Sequence, residues 1–282
     1  STTLVAGTDY IAPSASTSAF VRITTTQLTG GGNTTGGGNQ NADDVTAYIL
    51  DPWNIENSFV IQRPSTAANE TRVTWEIIEY VGIPGGDNEI IVRQNSVIAP
   101  GTGALVATGT AATGISDDSD VVVFITGQAN NNTGTGAFNT GLYTSHWAAS
   151  SDQPVFTREL TGNTTNISYA VVEFTGANWK IQRVEHNYTT DASAETQPIS
   201  ALGSLSRTFL HTQKRVATNG LDEIGHEVWL SSIGFVSFQL QSGATTPSGH
   251  YSVAWVIENT QTGTGEMSVQ RSNGVLASGA CS

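Results

Sequence analysis

The chain has 282 residues and a formal net charge of −13, and only 12% of its residues are charged, against about 25% in typical globular proteins. The acidic excess argues against direct binding to nucleic acid, which requires a basic face, and against a polybasic site for a membrane surface. No apolar run approaches the ~20 residues that cross a bilayer, and the single cysteine, Cys281, excludes a disulfide framework within the chain.

The first third of the chain predicts a short arm followed by strands. Residues 1–16 are small and polar, and Pro13 interrupts any regular element, so we expect an N-terminal arm or linker. Residues 29–41 are dominated by Gly, Asn and Thr and predict a loop. Alternating apolar and polar residues predict five strands up to residue 98: residues 19–24, 45–50, 58–63, 71–80 and 88–94.

The rest of the chain repeats this order of short strands and turns. Residues 127–152 predict a long loop insertion, and residues 191–200 predict a connection. Residues 202–215 are the best helix candidate, although Gly203 and several β-branched residues weaken it. The remaining predicted strands are residues 104–108, 121–126, 155–158, 168–174, 179–183, 207–212, 227–230, 236–241, 252–258 and 267–271.

One segment recurs three times and organises the sequence. Residues 73–80 read Val-Thr-Trp-Glu-Ile-Ile-Glu-Tyr, and similar segments return at residues 167–174 and 252–259. Equivalent positions are separated by 94 and 85 residues, which indicates an internal duplication. Each segment carries a glutamate near its end: Glu79, Glu173 and Glu258.

The repeat predicts an all-β fold of three tandem, related antiparallel β-sandwich-like modules after a short N-terminal arm. Trp75 and Tyr169 are equivalent and are expected in sandwich interiors. Trp255 lies one place out of step, which predicts a bulge or an altered register in the third copy. We expect the arm at residues 1–16 and the modules at residues 17–98, 99–190 (with the insertion 127–152) and 191–282.

The recurrent glutamates are the first candidates for chemistry. Two carboxylates about 5 to 9.5 Å apart can hydrolyse a glycoside, but these three lie at equivalent positions in different modules. A repeated structural role explains three copies more economically, with ligand contact and catalysis as alternatives. The expected structural partners are arginines: Arg63, Arg93, Arg183 or Arg271.

Metal and nucleophile motifs are weak. Residues 117–120 (Asp-Asp-Ser-Asp) and Asp43 with Asp44 offer oxygen ligands suited to Ca²⁺, but neither follows EF-hand spacing. The five histidines lack the spacing of a zinc site, and Gly-x-Ser-x-Gly is missing. The sequence therefore predicts no catalytic, cofactor-binding or metal-binding residues and no cofactor.

Four aromatic residues lie in or beside predicted loops. Exposed aromatic rings stack on sugars and anchor partner proteins, whereas aromatic residues in turns often cap the ends of a sandwich. A recognition surface is therefore the hypothesis to test against this structural alternative. Its candidate residues are Trp53, Tyr143, Trp147 and Trp179.

Three segments resemble uncharacterised tandem-repeat structural proteins from the virions of tailed bacteriophages, especially marine ones. They are residues 75–80 (Trp-Glu-Ile-Ile-Glu-Tyr), 117–124 (Asp-Asp-Ser-Asp-Val-Val-Val-Phe) and 207–214 (Arg-Thr-Phe-Leu-His-Thr-Gln-Lys). The likeness extends over most of residues 17–275. The resemblance implies a virion component without an established activity, and it transfers no functional residues.

We therefore expect a non-enzymatic virion protein that decorates the capsid or belongs to a tail or fibre, with a carbohydrate-binding adhesin or receptor-binding protein as the alternative. The expected partners are other capsid or tail proteins, further copies at a threefold or pseudo-threefold site, or a surface glycan. Neither nucleic acid nor a membrane is expected. Because the first residues show no leader pattern, we expect synthesis in the host cytoplasm and assembly on the virion surface, with a secreted or cell-surface protein as the alternative.

Overall fold

The computed structural model describes residues 1–29, 46–64, 70–131, 137–189, 193–217, 226–240 and 249–262. These residues form seventeen strands and four short 3₁₀ turns, without an α-helix, so the predicted all-β antiparallel fold is confirmed. The strands are β1 (Thr2–Val5), β2 (Ala19–Thr29), β3 (Tyr48–Ile49), β4 (Ser58–Gln62), β5 (Glu70–Glu79), β6 (Ile91–Ile98), β7 (Val106–Thr108), β8 (Val121–Asn130), β9 (Thr144–Ala148), β10 (Gln153–Thr157), β11 (Thr165–Glu173), β12 (Trp179–Asn187), β13 (Glu195–Pro198), β14 (Thr208–Arg215), β15 (His226–Ser232), β16 (Phe235–Leu240) and β17 (Tyr251–Asn259).

The strands repeat one topology. The second sandwich, β6 to β11, has an inner sheet of order β6-β11-β8 and an outer sheet of order β7-β10-β9. The third sandwich, β12 to β17, repeats this arrangement as β12-β17-β14 and β13-β16-β15. The first sandwich, β1 to β5, has the outer sheet β1-β4-β3 and an inner sheet of two described strands, β2-β5. The recurrent segment is the central strand of both complete inner sheets.

The strand pairing does not follow the predicted boundaries of the arm and the modules. Strand β1 lies in the predicted arm and pairs with β4, so the expectation of an irregular segment is wrong there. Strand β6 lies before residue 98 but pairs with β11, and β12 lies before residue 190 but pairs with β17. Both predicted boundaries therefore separate a strand from the strand with which it pairs. The strand after each recurrent segment belongs to the following sandwich.

Several polar segments that the sequence predicts as loop, connection or helix are strands. Residues 127–152 contain the end of β8 and all of β9, and residues 191–200 contain β13. The helix candidate at residues 202–215 ends in β14. All of β9, β13 and β14 are edge strands, and polar residues such as Ser145, Thr196 and Gln213 interrupt the alternation of apolar residues in them. The predicted strand at residues 267–271 lies outside the described residues.

Each sandwich has its own apolar interior. Phe59 and Ile61 lie in the first interior, Phe156 and Tyr169 in the second, and Phe238 in the third. The predicted interior position of Tyr169 is confirmed by its 1% exposure. Trp75 is only half-buried, although its ring contacts that of Phe59 at a centroid distance of 5.6 Å.

Buried hydrogen bonds join neighbouring sandwiches. Ile49 N donates to Ser168 Oγ at 3.1 Å, which connects the first sandwich to the second. Between the second and third, Ser145 N donates to Gln213 Oε1 at 2.7 Å. Gln213 Nε2 donates in turn to the carbonyl oxygen of Val123 at 3.0 Å. Since these groups are withdrawn from water, their mutual bonding fixes how the sandwiches contact each other.

Candidate functional site

The inner sheets of all three sandwiches pack against one another. The face of each inner sheet that points away from its own sandwich contributes apolar side chains to one cluster, called here the shared centre. Burial of this much apolar surface is the main force that holds the three sandwiches together. Its fully buried members are Phe20, Val92, Val122, Phe124, Ala170, Val172, Phe174, Val253, Trp255 and Ile257.

One equivalent position of the three inner sheets carries three different side chains. Strand pairing places Arg22, Phe124 and His211 at this position of β2, β8 and β14. The ring centroids of Phe124 and His211 lie 4.7 Å apart, and those of Phe20 and Phe124 lie 4.8 Å apart. A cation, a phenyl ring and an imidazole therefore meet where the three repeats converge.

His211 is held in its neutral form. Burial lowers the pKa of His211 from its ordinary 6.5 to about 3, and the positive charge of Arg22 lowers it further in the same direction. The imidazole has a polar partner, since its Nε2 lies 3.1 Å from Nε2 of Gln213. His211 is consequently a structural side chain of the shared centre and does not act as an acid or base near neutral pH.

A cavity of about 610 Å³ opens beside the shared centre. Side chains from all three sandwiches line it, and most are aromatic or aliphatic, which suits an apolar side chain or ligand. Arg22 and Glu79 supply its charged wall. The principal apolar lining residues are Phe20, Ile78, Phe124, Phe174, Trp179 and Phe209.

Side-chain amides form the rim of this cavity. Asn88 Oδ1 accepts hydrogen bonds from Asn178 Nδ2 at 2.9 Å and from Asn259 Nδ2 at 2.8 Å. Asn88 Nδ2 donates to Gln261 Oε1 at 2.9 Å. These residues lie on or beside the connections that leave β5, β11 and β17, so the three chain crossings meet at this rim.

The glutamates of the recurrent segments bind the chain that precedes an inner-sheet strand. Glu173 Oε1 accepts hydrogen bonds from Ser116 N at 2.6 Å and Asp117 N at 2.9 Å, just before β8. Glu258 Oε1 accepts from Gly203 N at 2.6 Å and Ser204 N at 2.9 Å, before β14.

Glu79 repeats this arrangement in the first sandwich. Its Oε1 accepts from Ser14 N and Ser14 Oγ, both at 2.6 Å, before β2. No two of the three glutamates share a site. They are framework residues, as the sequence favours.

Only part of the predicted arginine pairing is present. Arg93 forms an ion pair with Glu173. Arg183 pairs instead with Glu185 at 2.9 Å, and Arg63 donates to Thr71 Oγ1 at 3.2 Å. Arg271 lies outside the described residues.

The ion pair of Glu173 affects its titration. Burial raises the pKa of Glu173, but hydrogen bonds from Ser116, Asp117 and Arg93 outweigh burial, and the pKa lies below its ordinary value. The carboxyl group is therefore ionised at neutral pH and does not act as a general acid.

Tyr143 and Trp179, predicted as recognition residues, are not free aromatic rings at the surface. Tyr143 is fully buried in the second sandwich, and burial raises its pKa to about 12. Its ring presents no surface to a partner. Trp179 contacts Phe174 at a centroid distance of 5.1 Å and lines the cavity.

Trp53 and Trp147 lie nearer the surface. Trp147 packs on the second interior, and its Nε1 donates to Asp118 at 2.6 Å. Trp53 occupies a 3₁₀ turn and is 41% exposed. The four aromatic residues therefore do not form one recognition surface. Trp53 is more exposed than Trp147.

The acidic turn at residues 117–120 has a structural explanation. Asp117 caps the turn by accepting from Ser119 N at 2.9 Å, and Asp118 accepts the bond from Trp147. Among the residues that the structure describes, no group of three His, Cys, Asp or Glu side chains could hold a metal ion. Asp43 and Asp44 fall outside those residues. The described part of the chain also contains no helix able to span a membrane.

The structure brings together one serine and histidine that the sequence leaves apart. Ser252 Oγ lies 2.8 Å from His226 Nδ1 and 3.0 Å from Tyr188 Oη. Ser252 is fully buried on β17, so its hydroxyl group cannot reach a substrate. The contact is a polar brace within the third sandwich.

Arg158 is a further residue that the sequence does not single out. It is 1% exposed and donates to the carbonyl oxygens of Gly101, Thr102 and Ala104 at 2.8 to 2.9 Å. It also donates to the Asn163 carbonyl oxygen at 2.8 Å. An arginine directly after a strand gives no sequence signal for this role, because its acceptors are main-chain atoms.

No family model, curated protein or solved structure matches the chain.

Proposed function

We propose that the protein is a non-enzymatic structural component of a bacteriophage virion, exposed as a capsid decoration or as part of a tail or fibre. It acts through protein–protein contacts. The resemblance of residues 75–80, 117–124 and 207–214 to virion proteins supports this proposal.

The hydrogen bonds of the recurrent carboxylates support a structural role for the protein. Glu79, Glu173 and Glu258 each bind backbone N–H groups of their own sandwich. The three carboxylates occupy equivalent framework positions in the three sandwiches. The most regular polar chemistry in the molecule is thus devoted to rigidity.

The repeat also suits a symmetric particle. Three related sandwiches around a shared centre imitate a trimer, and such a chain fits a local threefold or pseudo-threefold position of a shell or tail. Many weak contacts, repeated over the particle, give a strong total attachment. The net charge of −13 would keep the outer surfaces of particles apart.

Exposed apolar side chains supply candidate contacts with other virion proteins. Val81 and Ile83 lie on the connection after β5 and are 84% and 79% exposed. Ile11, on the connection after β1, is 92% exposed. Solvated apolar side chains at loop tips gain most by being covered in an assembly.

Mass spectrometry and imaging of purified virions test the proposal. The protein is expected in particles after density-gradient purification, and Ile83→Asp should reduce its copy number by about tenfold if this loop is a central contact. Ile233→Asp, at a side chain that is 51% exposed, is the matched control. Absence of the unaltered protein from purified particles would overturn the proposal.

A carbohydrate-binding adhesin is the second candidate, because Trp53 exposes its ring. A glycan array tests this alternative with the intact chain. Specific sugar binding that is abolished by Trp53→Ala, but kept in Trp147→Ala, would favour the adhesin. Binding of no sugar would leave the structural role as the better account.

A further inference from the structure

The cavity beside the shared centre is much larger than an ordinary packing gap. Its volume is about 610 Å³, whereas the gaps inside a close-packed protein rarely exceed the size of a water molecule. Volumes of this order are typical of the sites at which proteins bind small molecules. The chemistry of the lining side chains therefore indicates what this cavity binds.

Buried aromatic rings form the deepest part of the lining. Phe20, Phe124 and Phe174 are only 2 to 3% exposed. The ring centroids of Phe20 and Phe124 lie 4.8 Å apart, so the first and second sandwiches meet directly at this point. All three rings belong to the shared centre. Because that centre is closely packed, this part of the cavity has a fixed shape.

Half-buried apolar side chains from all three sandwiches form the walls. Ile78 of β5, Ile90 before β6, and Trp179 and Phe209 on β12 and β14 line the cavity and pack against the shared centre. The ring of Trp179 meets that of Phe174 edge to face, at a centroid distance of 5.1 Å. A bound molecule would therefore contact mainly carbon atoms, and apolar surface would drive its binding.

The two charged residues of the wall already have partners. Arg22 forms an ion pair with Glu76. Glu79 Oε1 accepts hydrogen bonds from Ser14 N and Ser14 Oγ, both at 2.6 Å. Since the wall carries one charge of each sign, an ion of either sign would meet a like charge and would also lose its hydration. The wall therefore favours an uncharged molecule.

The amide side chains in the lining are also bonded. Asn259 Nδ2 donates to Asn88 Oδ1 at 2.8 Å, Asn88 Nδ2 donates to Gln261 Oε1 at 2.9 Å, and Gln261 N donates to Asn259 Oδ1 at 3.1 Å. A chain segment would bring main-chain N–H and C=O groups into this apolar space, where leaving them unpaired is costly. A small molecule without a peptide backbone avoids this cost.

Hydrogen bonds hold the entrance of the cavity in place. Glu89 Oε1 accepts from Gly85 N at 2.9 Å, and its Oε2 accepts from Thr175 Oγ1 at 2.7 Å. Glu89 thereby connects the segment after β5 to the segment after β11. Tyr80 Oη donates to the carbonyl oxygen of Ile83 at 3.0 Å within the first of these segments. An entrance that is already ordered lowers the cost of binding.

We propose that this cavity binds an uncharged small molecule that is mainly aromatic or aliphatic. The molecule enters past Val81, a lining residue that is 84% exposed. Its apolar body lies against the rings of Phe20, Phe124 and Phe174. Such binding does not require attachment to a virion, so either activity can be absent without the other.

Two fluorescent probes with the same ring system test the proposal on the full chain. Phenylnaphthylamine is uncharged, whereas anilinonaphthalene sulfonate adds one negative charge. We expect saturable binding of phenylnaphthylamine with a Kd on the order of 10 μM, and binding of the sulfonate that is at least about tenfold weaker. Equal or tighter binding of the sulfonate would contradict an uncharged ligand. The absence of saturable binding of phenylnaphthylamine would overturn the site.

Two matched tryptophan variants show whether the probe binds in the cavity. Ile78→Trp enlarges a wall side chain and should weaken the binding of phenylnaphthylamine at least about tenfold. Ile233→Trp changes a side chain that is 51% exposed in the turn between β15 and β16, and it should alter the Kd less than about twofold. Urea unfolding confirms that both variants are folded. An unchanged Kd in folded Ile78→Trp would overturn the assignment to this cavity.

Photolabelling of the unaltered chain locates the site without any substitution. Benzophenone is an uncharged aromatic ketone that inserts into nearby C–H bonds on illumination, and peptide mass spectrometry identifies the labelled residues. Label is expected on lining residues of more than one sandwich, such as Ile78, Ile90 and Phe209. Excess phenylnaphthylamine should reduce this label at least about fivefold. Label confined to residues outside the lining would overturn the proposal even if Ile78→Trp fails to fold.

Discussion

Arg93 of β6 binds Glu173 of β11, with Nε of the arginine donating to Oε2 of the glutamate at 2.6 Å. The pair joins a strand that follows the first recurrent segment to the second copy of that segment. Glu173 is completely buried in this structure. The position of β6 in the second sandwich is therefore secured by a charge pair as well as by main-chain hydrogen bonds.

The burial of Glu173 predicts an unequal effect of the same substitution at two equivalent positions. Glu173→Gln removes a charge that accepts bonds from Arg93 and Ser116, and we expect a loss of about 2 kcal/mol in the free energy of unfolding. Glu79→Gln affects a half-exposed carboxylate and should cost less than about 1 kcal/mol. Urea unfolding of both variants measures the difference, and equal losses would contradict the structural assignment.

Arg158 predicts a larger effect, because its acceptors among the described residues are main-chain carbonyl oxygens. Arg158→Met keeps much of the volume but leaves at least four carbonyl oxygens without their donor. We expect the free energy of unfolding to fall by about 3 kcal/mol or more. Arg183→Met removes a more exposed ion pair and should cost less than about 1 kcal/mol. A loss below about 1 kcal/mol for Arg158→Met would contradict the role of Arg158 in binding these carbonyl oxygens.

The recurrent segment could be recognised from sequence because it combines apolar alternation with a glutamate at a fixed place. The register of the strands around it, and the face on which each aromatic residue lies, could not be predicted from sequence. Trp255 predicts a bulge or an altered register in the third copy, yet β17 pairs without interruption on both sides. Register shifts occur instead in the pairings of β11 and in that of β2 with β5. Trp255 faces the shared centre, whereas Tyr169 faces its own sandwich. Both faces of β11 and β17 are buried, so a large apolar residue is accommodated on either one.

The candidate site was less accessible to prediction than the fold. Tyr143 follows a Gly- and Asn-rich segment and reads as a loop aromatic, but long-range packing buries it against Arg158, whose guanidinium lies 5.3 Å from the ring centre. The cavity is formed by three sheets that are distant in sequence. Patterns within one strand do not reveal which faces of separate sheets will meet.

His211 predicts a dependence of stability on pH. Its pKa is about 3 in the folded chain and 6.5 ordinarily, so the unfolded chain binds the additional proton as the pH falls below 6.5. The stabilisation is complete above that pH and declines between pH 6.5 and about 3, by up to about 1.4 kcal/mol per pH unit.

His211→Phe removes this titrating group and places a ring like that of Phe124 at the equivalent position. Unfolding in urea between pH 7.5 and 5 should show a shallower decline for the variant than for the unaltered protein. The other histidines titrate in both proteins and cancel in the comparison. Identical slopes would show that His211 is not held neutral in the shared centre.

The shared centre is the claim on which the proposed rigid scaffold depends. Trp255→Ala truncates one of its members, which is 4% exposed, and should cost about 3 to 5 kcal/mol. Differential scanning calorimetry measures the consequence most directly. We expect one cooperative transition for the unaltered chain and one transition at lower temperature for the variant, because the sandwiches unfold together. Separate transitions, of which only that of the third sandwich moves in Trp255→Ala, would contradict a common core.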